Sequence, residues 1–308
     1  MMSRILHGLA GSPAAKYVVL NFPPARWASR RFVAGETLDQ AMTALAALHE
    51  RGLCGMLDQL GESVHVEADA RRAAEDYLEG IRRIRASGRP ANVSLKLTQM
   101  GLDVSEELCL ENLRAVVSAA HQAGVFVEFD MESSAYTDRT LAIHRRLHGE
   151  FPNVGVCVQS YLHRTIRDAE ALIDMGARVR LVKGAYLEPP EIAHADKADV
   201  DAAYVRLLEM FFSEKAVAAG VHCGVASHDP RLIDKTLELI KARGLPADKF
   251  EFQMLYGIAR DLQARLAAEK WRVRVYVTYG SQWYPYFMRR LAERPANLLF
   301  VLRHMVGG

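Results

Sequence analysis

The chain has 308 residues, half of them hydrophobic and a quarter charged, with ample apolar material for a large globular core. Lys and Arg total 39 against 37 Asp and Glu, a net charge of +2 with no long run of either sign, which argues against the clustered basic stripe of a nucleic-acid-binding surface. The apolar N-terminal stretch is broken, and no segment approaches the ~18 consecutive apolar residues of a membrane span, so neither a secretory leader nor a transmembrane helix is expected.

Residues 1–30 carry no readable pattern. Residues 35–51 (GETLDQAMTALAALHER) read as an amphipathic helix within an N-terminal arm over 1–50, expected to pack against the N-terminal end of the domain that follows. A regular beat then begins. Short β-rich runs fall at 53–60, 92–98, 125–131, 154–160, 178–184, 221–227, 250–255 and 273–278. Amphipathic stretches separate them, among them 68–86, 105–122 and 197–219. Gly88, Gly124, Gly176, Gly220 and Gly244 mark helix stops leading into the next strand. Strands separated by helices must run parallel, and eight of them close a (β/α)8 barrel, here over 51–308. An open doubly wound sheet would carry a glycine-rich phosphate loop after its first strand, and neither GxGxxG nor GxxxxGK[ST] occurs. Cys54, Cys109, Cys157 and Cys223 lie far apart without a CxxC pair; they read as reduced thiols in a cytoplasmic setting.

Alternate strand residues of a barrel point inward, and the C-terminal strand ends form the site. In VSLKLT the alternation opposes Val93, Leu95 and Leu97 to Ser94, Lys96 and Thr98; in FVEFDM it opposes Val127, Phe129 and Met131 to Glu128 and Asp130. Cys157 and Gln159, Arg180, Glu251 and Gln253, and Tyr276 repeat the pattern, and His228 follows the sixth strand. A lone buried cation is as often half of a structural ion pair as a functional group. Convergence of polar residues near one barrel end points instead to a ligand site. On the last helix, Tyr286, Arg289, Arg290 and Glu293 share one face. Adjacent arginines beside aromatics suit a carboxylate clamp, since the guanidinium fork binds carboxylates with two parallel hydrogen bonds.

These segments resemble the proline dehydrogenase family. VSLKLT, VEFDME, VQSYLHRT, VRLVKGAYLE, ASHD, FEFQMLYG and RVYVTYG…WYPYFMRRLAE fall in family order over roughly 50–300. The resemblance implies FAD on a (β/α)8 barrel and oxidation of L-proline to Δ1-pyrroline-5-carboxylate. It implies that Arg289, Arg290 and Lys96 bind the proline carboxylate while Tyr276, Tyr286 and Leu255 enclose the ring. Asp130 orients the polar network, and Arg180 lies near the flavin N5. Gln159, Val182, Lys183, Gly184, Ala185, Tyr186, Lys197, Ala226, Ser227, His228, Gln253 and Glu293, with Asp130 and Arg180, contact the cofactor. Electrons pass to a quinone, which implies peripheral contact with a membrane, and the product passes to a separate pyrroline-5-carboxylate dehydrogenase, since no aldehyde-dehydrogenase half is present. Two residues depart from the pattern: Thr278 stands where proline is expected, and Asp229 replaces a common asparagine.

Other functions compete. A Schiff-base aldolase would use Lys96 or Lys183 as nucleophile with a depressed pKa, which like charge from Arg289 and Arg290 would supply to Lys96. A non-catalytic binder would lack clamp residues, and none is missing. A metal-dependent hydrolase would show HxH on a strand or HExxH on a helix, and neither occurs.

Overall fold

The computed structural model describes residues 31–293, the side chains of 291–293 excepted. Helix α1 (Leu38–Glu50) precedes β1 (Cys54–Gln59), and the chain then alternates. It continues through α2 (Glu67–Ser87), β2 (Ala91–Leu95), α3 (Glu106–Ala123), β3 (Val127–Phe129), α4 (Ser134–Glu150), β4 (Val154–Gln159), α5 (Thr165–Asp174) and β5 (Arg178–Val182). Helices α6 (Lys197–Phe211) and α7 (Glu214–Ala219) lead to β6 (His222–Ala226), followed by α8 (Pro230–Arg243), β7 (Phe250–Leu255), α9 (Arg260–Ala268), β8 (Val273–Tyr279) and α10 (Trp283–Glu293). The strands form a closed parallel barrel in chain order, shut by β1 against β8 with Met56 opposite Tyr276 and Asp58 opposite Thr278.

Local chemistry sets the boundaries. Ser105 caps α3 by accepting from the Leu108 amide, and Gly88, Gly124, Gly220 and Gly244 close their helices in left-handed backbone. The single helix expected over 197–219 is two. Ser213 interrupts it, its hydroxyl accepting from the Ala216 amide to start α7. The outward faces of the strands, among them Val93, Leu95, Val127, Phe129, Val156, Leu181, Val225, Phe252 and Val277, are buried against the helices in one continuous core. Among the described residues no helix is long and apolar enough to cross a membrane, and none of the four cysteines forms a disulfide.

The two end helices place the site. Helix α1 does not lie across the N-terminal end of the barrel as expected. It packs against β1 and β8 from outside, and a side chain at Gly55 would overlap Leu45. That groove is where a helix following β8 would otherwise sit. With it filled, α10 lies over the C-terminal strand ends, burying Trp283, Tyr284 and Phe287 against Phe32, Val33, Leu60 and Ile258.

Candidate active site

Asp130, just beyond β3, is the hub of the barrel's upper interior. Its carboxylate accepts from Lys96 Nζ at 3.0 Å, Arg180 at 2.7 Å, the Tyr276 hydroxyl at 2.7 Å and the Ser94 hydroxyl. Burial alone would raise this carboxyl, but Lys96 and Arg180 outweigh it and hold Asp130 well below the usual carboxylate range. Lys96 also reaches Asp58 at 3.5 Å. Burial would lower its ammonium, yet Asp58, Tyr276 and Asp130 keep it well above the ordinary lysine range. Arg180 stacks over the Tyr276 ring at 4.9 Å. Residues from β2, β3, β5 and β8 thus meet at one point, and the alternation that predicted Lys96, Asp130, Arg180 and Tyr276 as inward holds for all four.

Over this layer sits α10. Arg290 is buried and stacks on Tyr286 at 5.0 Å. Arg289, beside it on the helix, is half-buried. It forms a two-pronged pair with Glu62 of the β1–α2 loop, at 2.9 and 3.3 Å. Burial pushes the Glu62 carboxyl up, but Arg289 overrides this and holds it low. Lys96 is therefore raised by its carboxylate neighbours rather than lowered by arginines, which removes the basis of the lysine-aldolase reading at Lys96. The Glu293 side chain lies outside the described residues.

A family model described as proline dehydrogenase matches residues 41–303. The chain belongs to the proline dehydrogenase family. Among its relatives, proline dehydrogenase of Deinococcus radiodurans is 44% identical over 285 residues, covering 91% of this chain and 90% of the relative. Proline dehydrogenase 1 of Bacillus subtilis is 42% identical over 278 residues, covering 90% of each. The solved structure of proline utilization A from Bdellovibrio bacteriovorus, inactivated by N-propargylglycine, superimposes with a TM-score of 0.82 at 25% identity. The match covers 91% of this chain but 34% of that longer one.

Proline dehydrogenases are flavoenzymes, and the barrel mouth fits a polar ring system. Gln253 Oε1 is buried without a partner, an acceptor of the kind a heteroaromatic ligand satisfies. Val182, Ala226 and Leu255 point inward beside it by register with Gln159, Gln253 and Tyr276. Gly184 has φ +118°, and a side chain there would overlap the Tyr161 ring, so only glycine allows the chain to turn this close to the mouth. Gln159 donates to the Glu132 carbonyl at 2.9 Å, and His228 Nε2 accepts from the Leu255 amide at 2.8 Å. Ser227 is buried, with its hydroxyl accepting from the Asp229 amide; Ala185 and Tyr186 are half-buried in the β5–α6 loop.

Lys183 and Lys197 form a separate charged cluster. Lys183 pairs with Asp201 and, at 3.3 Å, with Asp229; Lys197 reaches Asp201 at 3.3 Å and Asp229 at 3.4 Å, and Arg231 joins Asp229 at 3.1 Å. Asp229, one of the two departures from the family pattern, also caps α8. Thr278, the other, donates to the Phe32 carbonyl at 3.0 Å, and its own carbonyl accepts from Ala34, which ties the segment before α1 to the end of β8.

The polar residues read as converging on one end divide into two layers. Glu251 and Glu128 lie below the site. Glu251 is fully buried in a two-pronged pair with Arg274, at 2.6 and 3.0 Å, and Gln253 Nε2 donates to it at 2.9 Å. Thr98, expected inward, binds Glu132 through both hydroxyl and amide. Asp58, Glu62 and Glu132 escaped the sequence reading. For Asp58 the signal was present, since Cys54, Met56 and Asp58 alternate with Gly55 and Leu57 along the first strand.

Proposed function

We propose that this chain oxidises L-proline to Δ1-pyrroline-5-carboxylate with bound FAD, the first step of proline catabolism. The observation that supports this reading best is the Asp130 hub, in which Lys96, Arg180 and Tyr276 are fixed in a buried layer beneath the paired arginines of α10. When bound, the flavin supplies the hydride acceptor. The remaining work belongs to the chain. Lys96, kept charged by Asp58 and Asp130, joins Arg289 and Arg290 in holding the substrate carboxylate, which takes the place of Glu62 on Arg289. Leu255, Tyr276 and Tyr286 enclose the apolar ring and fix its orientation.

Asp130 holds Arg180 in place, and that guanidinium is the group set to stabilise charge accumulating beside the flavin N5. Gln159, Val182, Lys183, Gly184, Ala185, Tyr186, Lys197, Ala226, Ser227, His228, Gln253 and Glu293 are the remaining cofactor contacts of this reading. A quinone receives the electrons at a transient membrane surface contact, and a separate dehydrogenase consumes the product. Adding L-proline without oxygen to the FAD-loaded protein should bleach the flavin. A flavin indifferent to proline would redirect the search to another amine, and a protein unable to take up FAD would end this reading.

A further inference from the structure

Beneath the Asp130 hub lies a buried carboxyl that forms no ion pair among the described residues. Glu128 is the middle residue of β3, inward by register with Ser94 of β2 and Gly155 of β4, and it is 1% exposed. No hydrogen bond reaches its Oε1. The charged groups around it are otherwise matched. Asp130, two residues along β3, takes Arg180 of β5 at 2.7 Å, while Glu251 of β7 takes Arg274 of β8 at 2.6 Å and lies 3.7 Å from Arg178 of β5. Three arginines thus pair with two carboxyls, and Glu128 is left without an ion pair. The remaining titratable groups near it are neutral: burial keeps the Cys157 and Cys223 thiols protonated and pushes His222 down to about 3.

Arg180 is unsatisfied on its own side. One guanidinium arm is bound to Asp130, while Nε is buried without an acceptor. The two orphans are of opposite kind, and the Arg180 charge acts on the Glu128 carboxyl without an ion pair between them. We propose that Glu128 is a positioning residue for proline oxidation, which by losing its proton draws the Arg180 guanidinium toward the barrel floor and by regaining it returns that charge to the reacting centre. The inference rests on the function proposed above, because Arg180 matters only where charge accumulates during the oxidation.

Two opposing effects leave this carboxyl poised. Burial favours its neutral form, Arg180 and Arg178 favour the anion, and the balance pushes it up to about 7. In the neutral state Arg180 has Asp130 as its carboxylate partner, and its field reaches upward. With Glu128 ionised, a second carboxylate competes for the same guanidinium, and stabilisation of charge in the site weakens.

The experiment is the ratio of kcat in Glu128→Gln to kcat in wild type across pH, in FAD-loaded enzyme with proline. Ionisation of the substrate amine is common to both proteins and cancels in the ratio. The ratio should climb severalfold between about pH 6 and about pH 8 and then level, with KM for proline little changed. The midpoint potential of the bound flavin, read without substrate, should fall more steeply with pH in wild type than in the variant over the same range. Glu128→Asp, which keeps an ionisable group, should move the inflection rather than abolish it, and it serves where the glutamine variant does not fold. A flat kcat ratio with parallel potentials in an enzyme that proline does reduce overturns the role of Glu128 and leaves the proposed function standing. A flavin that proline never reduces overturns both.

Discussion

Lys96 shows how little a residue's identity says about its chemistry until its neighbours are known. A lysine inside a barrel strand suits a Schiff-base nucleophile or a carboxylate anchor equally well, and only Asp58 and Asp130 decide between them by holding the ammonium charged. Arg289 is subject to the same dependence. In the proposed clamp, its pair with Glu62 means that a bound carboxylate replaces an existing partner rather than filling an empty fork, so part of the gross interaction is offset. Arg289→Ala should still raise KM for proline by about 30- to 1000-fold, the equivalent of about 2 to 4 kcal/mol, while kcat changes far less. Steady-state kinetics with proline check this split, and a loss confined to kcat would place Arg289 elsewhere in the reaction. Legibility at this scale followed the alternation rule. It located Lys96, Asp130, Arg180 and Tyr276 and would have located Asp58, because strand period is a backbone property. It could not reach Glu62, which lies in a loop where no period fixes the direction of a side chain.

At the scale of elements, the barrel interior is built as two stacked polar layers, and the lower one holds the strands together. Glu251 of β7 and Arg274 of β8 form a fully buried pair, with the Arg274 guanidinium also donating to the Gly55 carbonyl of β1 at 2.9 Å. One side chain therefore ties three strands across the closure of the barrel. Removing one partner leaves an uncompensated buried charge, so Arg274→Met should cost about 3 to 5 kcal/mol of stability, and Glu251→Gln should cost a similar amount. Replacing both with apolar residues of like volume should restore most of that loss. Urea titrations of the two single variants and the double variant test this, and additive losses would show that the pair is not a unit. A second element-level prediction concerns the turn after β5. Gly184→Ala should destabilise the β5–α6 loop by about 1 to 3 kcal/mol, because an alanine must hold φ +118° and displace Tyr161. Weaker flavin retention on gel filtration is the expected readout.

For the whole molecule, the fold was the most readable feature, since eight β-rich runs at helical intervals admit few closed parallel arrangements. The packing of α1 in the outer groove between β8 and β1, and the release of α10 to the mouth, were not readable in the same way. Both depend on which of two amphipathic helices wins one groove, and hydrophobic period alone ranks neither. The interior charge layers also shape stability as a function of pH. Arg274, supported by Arg178, holds Glu251 at about 2 against the opposing effect of burial, so its contribution is complete above the unfolded carboxylate range and is lost as pH falls toward about 2. Glu128 acts in the opposite sense. Burial raises it to about 7 from the ordinary 4.5, so the folded state holds its proton more tightly, and the stability this confers is full below about 4.5 and lost as pH rises through about 7. The difference of about 2.5 pH units amounts to about 3 kcal/mol. Wild type should accordingly lose about 2.5 kcal/mol more than Glu128→Gln between about pH 5 and about pH 8, read as the change in unfolding free energy from urea titrations at each pH. Parallel pH dependence in the two proteins would mean that the folded state holds the Glu128 proton no more tightly than the unfolded chain does, and the lower layer would then be charge-balanced at neutral pH.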